Sequence, residues 1–258
     1  MWKIANPANF SKLAGRLIAP LSVLTILCFA VGLYLSFFKA PADYQQGETV
    51  RIMYIHVPAA WLASFIYFSL TLSALGTLVW RHPLADAAQK AAAPLGAGFT
   101  LICLVTGSLW GKPMWGTYWV WDARLTSVLI LFILYLGLIA LWQTVEDQNK
   151  AARLAAIFTL VGAINLPIIK FSVDWWNTLH QPASVFRMGG PTIDSSMLQA
   201  LFVMALAFTL LFITLDLLAI RNEIMRRRVR RLLMLAASAG ETAAPHAAAP
   251  QFAGEVHA

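Results

Sequence analysis

The stretch WGTYWVWDARLTSVLILFILYLGLIALW, Trp115 to Trp142, decides what kind of protein this is. Its second part, Leu125–Trp142, is a run of 18 residues without a charged side chain. A helix rises about 1.5 Å per residue and needs about 20 apolar residues to cross about 30 Å of hydrocarbon, so this run is close to crossing length. Its first part places three tryptophans in seven positions beside Asp122, and Trp110 stands just before them. An apolar span therefore follows directly on a loop too rich in indole to be ordinary.

Working outward, five further runs have the same character: Leu17–Phe38, Pro58–Trp80, Ala91–Trp110, Ala152–Ile169 and Ser196–Ile220. Composition agrees. Of 258 residues, 59% are hydrophobic and 12% charged, and mean hydropathy is +0.68. A water-soluble domain has about a quarter of its residues charged. Backbone polar groups in lipid need internal partners, which makes each run helical. A transmembrane barrel would instead show alternating segments of about 10 residues, and no such pattern is present. The expected fold is an all-α polytopic membrane protein with six transmembrane helices.

Lysine and arginine set the orientation. Lys3, Lys12, Arg16, Arg81, Lys90, Lys150, Arg153 and the six arginines of RNEIMRRRVRR (Arg221–Arg231) make 13 on one side, against Lys39, Arg51, Lys112, Arg124, Lys170 and Arg187, six, on the other. The positive-inside rule places both termini in the cytoplasm and loops 39–57, 111–124 and 170–195 outside. The net charge of +7 thus reflects topology and attraction to anionic lipid rather than nucleic-acid binding. The first run is too long for a signal-peptide core of 7–15 residues, despite the APA at Ala40–Ala42, and is read as an uncleaved span. Residues 1–231 are expected to form one transmembrane domain, and 232–258, rich in Ala, a disordered cytoplasmic tail.

Several chemistries are excluded or lack support. There is no C-x-x-C-H for covalent haem attachment and no P-loop, so ATP-driven work would fall to a partner. Cys28 and Cys103 lie apart within spans and indicate neither a disulfide nor a metal cluster. No catalytic constellation is evident.

Seven of the ten tryptophans fall at the outer side: Trp61, Trp110, Trp115, Trp119, Trp121, Trp175 and Trp176. An interfacial belt should be roughly balanced between the two surfaces. If 114–124 form a short helix, set off from the third span by Gly111, Pro113 and Gly116, then Trp115, Trp119 and Asp122 share one face as a flat apolar shelf. Asp122 is equally well placed to cap the fourth helix. His56, in YIHVPAAW just before the second span, and His180, in the third outer loop, reach the same membrane face. Two histidines beside Trp-rich loops fit a ligated planar cofactor, and haem fits better than zinc. Arg51 and Arg124 are outward cations suited to its propionates. His82 reads as ordinary surface.

WGTYWVWDARLTS, YIHVPAAW and NLPIIKFSVDWWNTLHQPAS together resemble the haem exporter protein C family, CcmC, of bacterial cytochrome c maturation. The resemblance runs to about Arg231. It implies a multi-pass protein of the bacterial inner membrane, not an enzyme, that binds haem b at its outer face. It implies delivery of that haem to the chaperone CcmE beside the ABC transporter subunits CcmA and CcmB and the small protein CcmD. Carried over, His56 and His180 match axial ligands. Trp115, Trp119, Trp121 and Asp122, with Trp110 beside them, match the tryptophan-rich motif, and Arg51 and Arg124 match positions associated with the propionates. Trp175 and Trp176 are candidate further aromatic contacts. The rival from another class is a bis-histidine cytochrome b subunit for electron transfer. A second rival is a solute path lined by Asn165, Pro167 and Asp216, although Asp216 is within reach of Arg221.

Overall fold

The computed structural model describes residues 6–243, and the described residues contain helices, turns and a single isolated bridge, Asp43 to Gly47, but no named strand. The helices are α1 (Pro7–Tyr34), α2 (Met53–Trp80), α3 (Pro83–Trp115), α4 (Ala123–Thr144), α5 (Gln148–Gly162), α6 (Asn165–Trp175) and α7 (Ser195–Ala243). A π-turn, Leu35–Lys39, closes α1, and a 3₁₀ turn, Glu48–Ile52, leads into α2. Among the described residues, six helical stretches are long and apolar enough to cross a membrane, with α5 and α6 together forming the fifth. The protein is an all-α polytopic membrane protein.

Small residues let these helices approach. Ala59, Ala63 and Ala74 on α2, Ala92, Ala93, Gly96 and Ala97 on α3, and Ala151, Ala152, Ala155 and Ala156 on α5 are buried. Lipid tails are as apolar as leucine, so close packing rather than exclusion from water drives helix association. The tyrosines fill the gaps: a Cβ at Gly96 would sit 2.0 Å from Tyr135, and one at Gly162 would sit 2.0 Å from the Tyr67 hydroxyl oxygen. Tyr67 and Tyr135 meet edge-on at 5.2 Å, and the Tyr135 hydroxyl donates to the Ala63 carbonyl at 2.8 Å. The pair α2 and α3 forms the centre, with α4 and α5 on one side, α7 on another, and α1 laid along α7.

Polar residues fix the ends. Asn6 caps α1, Asp147 caps α5, and His82 caps α3 by accepting the Leu84 amide on Nδ1, so His82 has a specific structural role. At the end of the bundle bearing His82, buried Glu223 pairs with Lys90 (3.1 Å) and Arg227 (2.9 Å), and Arg227 also faces Asp86 (4.0 Å). One of the basic-run arginines therefore ties α7 to α3, beyond any role in topology.

Several expected boundaries move. The fifth span is broken at Ala163–Ile164 because Pro167 has no amide hydrogen for an uninterrupted helix. The chain restarts at Asn165, so Pro167 falls in a first turn, where no donor is needed. Asn165 donates its side-chain amide to the Ser127 carbonyl at 2.9 Å, which locks α6 to α4. Asp216 does not pair with Arg221; its buried Oδ1 has no partner among the described residues. Helix α7 runs through to Ala243, past the expected start of the tail at 232, because Leu, Met and Ala in this stretch are strong helix formers. The rest of the expected tail, 244–258, lies outside the described residues, as do Trp2 and Lys3.

Candidate functional site

The expected short helix over 114–124 is absent. Helix α3 continues through Gly111 and Pro113 to Trp115, and residues 116–122 have no helical structure. The stop comes from Gly116, whose φ of +75° is the left-handed conformation that glycine adopts without strain. Lys112 Nζ then donates to the Gly116 carbonyl at 2.9 Å, closing the helix end. The β-branched and aromatic residues that follow run irregularly to Asp122, with the Trp119 amide donating to Thr117 Oγ1 at 3.4 Å. Asp122 caps α4 by accepting the Leu125 amide at 2.7 Å. Of the two roles open to Asp122, capping is the one the geometry displays.

The elements meet around a cavity of about 960 Å³ at the end of the bundle opposite His82. Cofactor pockets run to about 1,000 Å³, so this one lies at the large end. His56, Trp61, Trp110, Trp115, Trp119, Arg124 and His180 line it, with apolar residues of α2, α3, α4 and α6 as its floor. His56 lies in the first turn of α2 rather than before it, because the 3₁₀ turn and α2 extend the second span back to Glu48. His180 comes from the irregular segment between α6 and α7.

Both imidazoles are held at the same nitrogen. His56 Nδ1 lies 3.1 Å from the Cys103 carbonyl and 3.1 Å from Thr106 Oγ1. His180 Nδ1 lies 3.0 Å from the Gln181 carbonyl. A carbonyl only accepts, so Nδ1 carries the hydrogen in each ring and Nε2 keeps its lone pair. Neither Nε2 has a hydrogen-bond partner among the described residues. Burial holds the His180 ring below its ordinary pKa and Arg124 adds to this, while the Gln181 carbonyl and Asp122 favour the charged form. The neutral ring is the form that ligates metal.

The indoles divide into two groups. Trp110 packs edge-on against His56 at 5.7 Å and donates Nε1–H to Gln46 Oε1 at 2.8 Å, latching the first loop to α3. Trp115 lies 6.3 Å from the His180 ring. Trp119 lines the cavity and stands edge-on to Trp121 at 5.5 Å. Trp121, Trp175 and Trp176 are 77%, 57% and 50% exposed and lie outside the lining. They offer an outward surface instead. Trp61, not singled out among the sequence candidates for the site, is in the lining and packs on Phe186 of the third loop at 5.4 Å. Its position three residues beyond Pro58 on the His56 helix was the available signal.

The arginines also divide. Arg124, in the first turn of α4, lines the cavity and donates Nε–H to Ser172 Oγ at 2.7 Å, and its two terminal nitrogens have no hydrogen-bond partner among the described residues. Arg51 does not reach the cavity. Its guanidinium donates to the carbonyls of Ser36 and Ala40 (3.3 Å for the latter) and pairs with Glu48, so it clamps the end of α1 to the start of α2. The second cation at the cavity wall is Lys170 of α6.

These features fit a large, flat, metal-centred molecule with carboxylates: two unpaired Nε2 atoms, an aromatic wall and a partly free guanidinium. Trp119 Nε1 and Asp122 Oδ2 are buried without a partner, two polar atoms that the protein alone leaves unsatisfied. Among the described residues, no group of three His, Cys, Asp or Glu is placed to hold a bare metal ion.

Residues 1–235 match the family model described as heme exporter protein C, CcmC. The chain belongs to this family. The heme exporter protein C of Bradyrhizobium diazoefficiens is 66% identical over 235 residues, which cover 91% of this chain and 89% of that protein. The Escherichia coli K12 protein of the same name is 47% identical over 235 residues, covering 90% and 95%. A putative cytochrome c biosynthesis ccmC-like mitochondrial protein of Marchantia polymorpha is 53% identical over 179 residues, covering 69% and 75%. The CcmC match includes every element of the cavity and stops within α7.

Proposed function

We propose that the protein binds haem b in the cavity as cargo and delivers it to the chaperone CcmE for c-type cytochrome biogenesis. His56 and His180 coordinate the iron through Nε2, Trp110, Trp115 and Trp119 flank the ring, and Arg124 receives a propionate. The exposed indoles, Trp121 before α4 and Trp175 and Trp176 at the end of α6, meet the chaperone. The haem-handling unit is residues 1–231 of a bacterial inner-membrane protein, with both termini cytoplasmic and the cavity periplasmic. It works beside CcmA, CcmB and CcmD, and any ATP hydrolysis belongs to those partners. The protein itself is a binding and transfer subunit, not an enzyme.

The observation that carries this reading is the pair of unpartnered imidazole nitrogens on one tryptophan-walled cavity. Family membership supports it, since the relatives are named for haem export. Release needs one axial bond to yield. His180 sits in an irregular loop and can withdraw without unwinding a helix, whereas His56 is built into α2. Electron transfer across the membrane would need a second haem site. His82, the histidine described at the other end, is occupied as a helix cap.

The test is co-expression with CcmE under adequate haem supply, followed by purification. The wild-type protein is expected to carry CcmE and haem together, and Trp121→Ala or Trp176→Ala to lose the chaperone. Haem that binds equally well while no variant affects CcmE would favour the electron-transfer reading.

A further inference from the structure

The His56 ring is held by α3 in a way that no motif of the sequence announced. Its Nδ1 faces two acceptors on α3, the Cys103 carbonyl and Thr106 Oγ1, each at 3.1 Å. The Thr106 hydroxyl hydrogen is already committed, since Oγ1 donates to the Ile102 carbonyl at 2.6 Å. Only its lone pairs remain, so Thr106 can only accept from His56. Both neighbours thus demand the Nδ1–H tautomer, and both leave Nε2 for the cavity. On the same helix, a Cβ at Gly107 would stand 2.9 Å from His56 Cε1, the atom between the two ring nitrogens. That spacing is below what real Cβ contacts show, and the ring lies against the backbone only because the side chain is absent.

We infer that Thr106 is a positioning residue that sets the tautomer and aim of His56 for iron, with Gly107 providing the space the ring occupies. This rests on the haem reading of the cavity. Hydrogen bonds to the far nitrogen of a ligating histidine fix ring orientation and raise its basicity, and removing them costs about 10–100-fold in metal affinity. Among the described residues, His180 Nδ1 meets only the carbonyl of its own neighbour, Gln181, so the rigid half of the site is the His56 half.

The experiment compares wild type with Thr106→Val, Thr106→Ser and Gly107→Ala, purified in detergent and titrated with haem, with absorption spectra and midpoint potentials recorded. Valine keeps the shape and removes the acceptor; serine keeps the acceptor. Haem affinity is expected to fall about tenfold or more in Thr106→Val and to return in Thr106→Ser. The potential is expected to rise in Thr106→Val, because a less basic imidazole stabilises ferric iron less, and to revert in Thr106→Ser. Gly107→Ala is expected to weaken the low-spin spectrum while eluting as a monodisperse protein. Wild-type affinity and potential in Thr106→Val would overturn the inference while leaving haem binding intact. A wild-type protein that takes up no haem would instead overturn the underlying reading. If Thr106→Val fails to fold, the Gly107→Ala spectrum decides, and an unchanged spectrum there counts against the inference.

Discussion

At the scale of single residues, packing separates side chains that look alike in the sequence. His56 and His180 were legible because histidine is rare in this chain and both fall at one membrane face. Their tautomers were not, since these depend on Cys103, Thr106 and Gln181, the first two far away in sequence. Arg51 and Arg124 looked equivalent as outward cations. Packing separates them: Arg51 is spent on the carbonyls of Ser36 and Ala40, and Arg124 faces the cavity. Arg51→Ala is therefore expected to lower the melting temperature in detergent with little change in the haem spectrum, whereas Arg124→Ala should weaken haem uptake with a smaller effect on melting. The reverse pattern would move the propionate site. Asp122 admits a similar separation. Losing the cap in Asp122→Ala should cost about 1 kcal/mol, and Asn, an equally good cap, should restore stability. An Asn variant that melts like wild type but no longer co-purifies with CcmE would show that the carboxylate also meets the partner.

Elements were more legible in their centres than at their ends. Each apolar run became helical, the fifth as two helices, because hydropathy and the need to satisfy backbone groups act along the whole run. The ends depend on local chemistry that a hydropathy window does not weigh. Helix α3 passes Pro113 and ends at Gly116, and α2 reaches back past His56, so both carry site residues that looked like loop. The fifth span breaks where Pro167 and Asn165 together favour a restart, and this turns α6 so that Ser172 meets Arg124. Replacing Asn165 by Leu is expected to remove the bond to the Ser127 carbonyl and loosen α6 from α4, read as lower melting and weaker haem uptake together. In the bundle interior, Gly96→Ala places a methyl where Tyr135 stands. Overpacking of this kind costs about 1–3 kcal/mol, which a thermal melt in detergent will register. A neutral Gly96→Ala would mean that Tyr135 can swing away and that the bundle is looser than its geometry indicates.

The whole molecule is a bundle whose two ends are built differently. One end is closed by capping and by ion pairs among Asp86, Lys90, Glu223 and Arg227. The other end opens into an aromatic cavity beneath three loops. The asymmetry of lysine and arginine is the basis on which the closed end is proposed to face the cytoplasm. With Cys28 and Cys103 replaced, a cysteine at Tyr118 or Met188 should react with an impermeant thiol reagent applied from the periplasmic side, and one at Asn149 only after permeabilisation. Labelling in the opposite sense would turn the molecule over and separate the cavity from a periplasmic chaperone. The most direct check on the account is the absorption spectrum of the purified protein after expression with ample haem and without CcmE. The account predicts a six-coordinate low-spin haem whose spectrum changes on His56→Ala and again on His180→Ala. A colourless wild-type protein, or a haem spectrum indifferent to both substitutions, would contradict it.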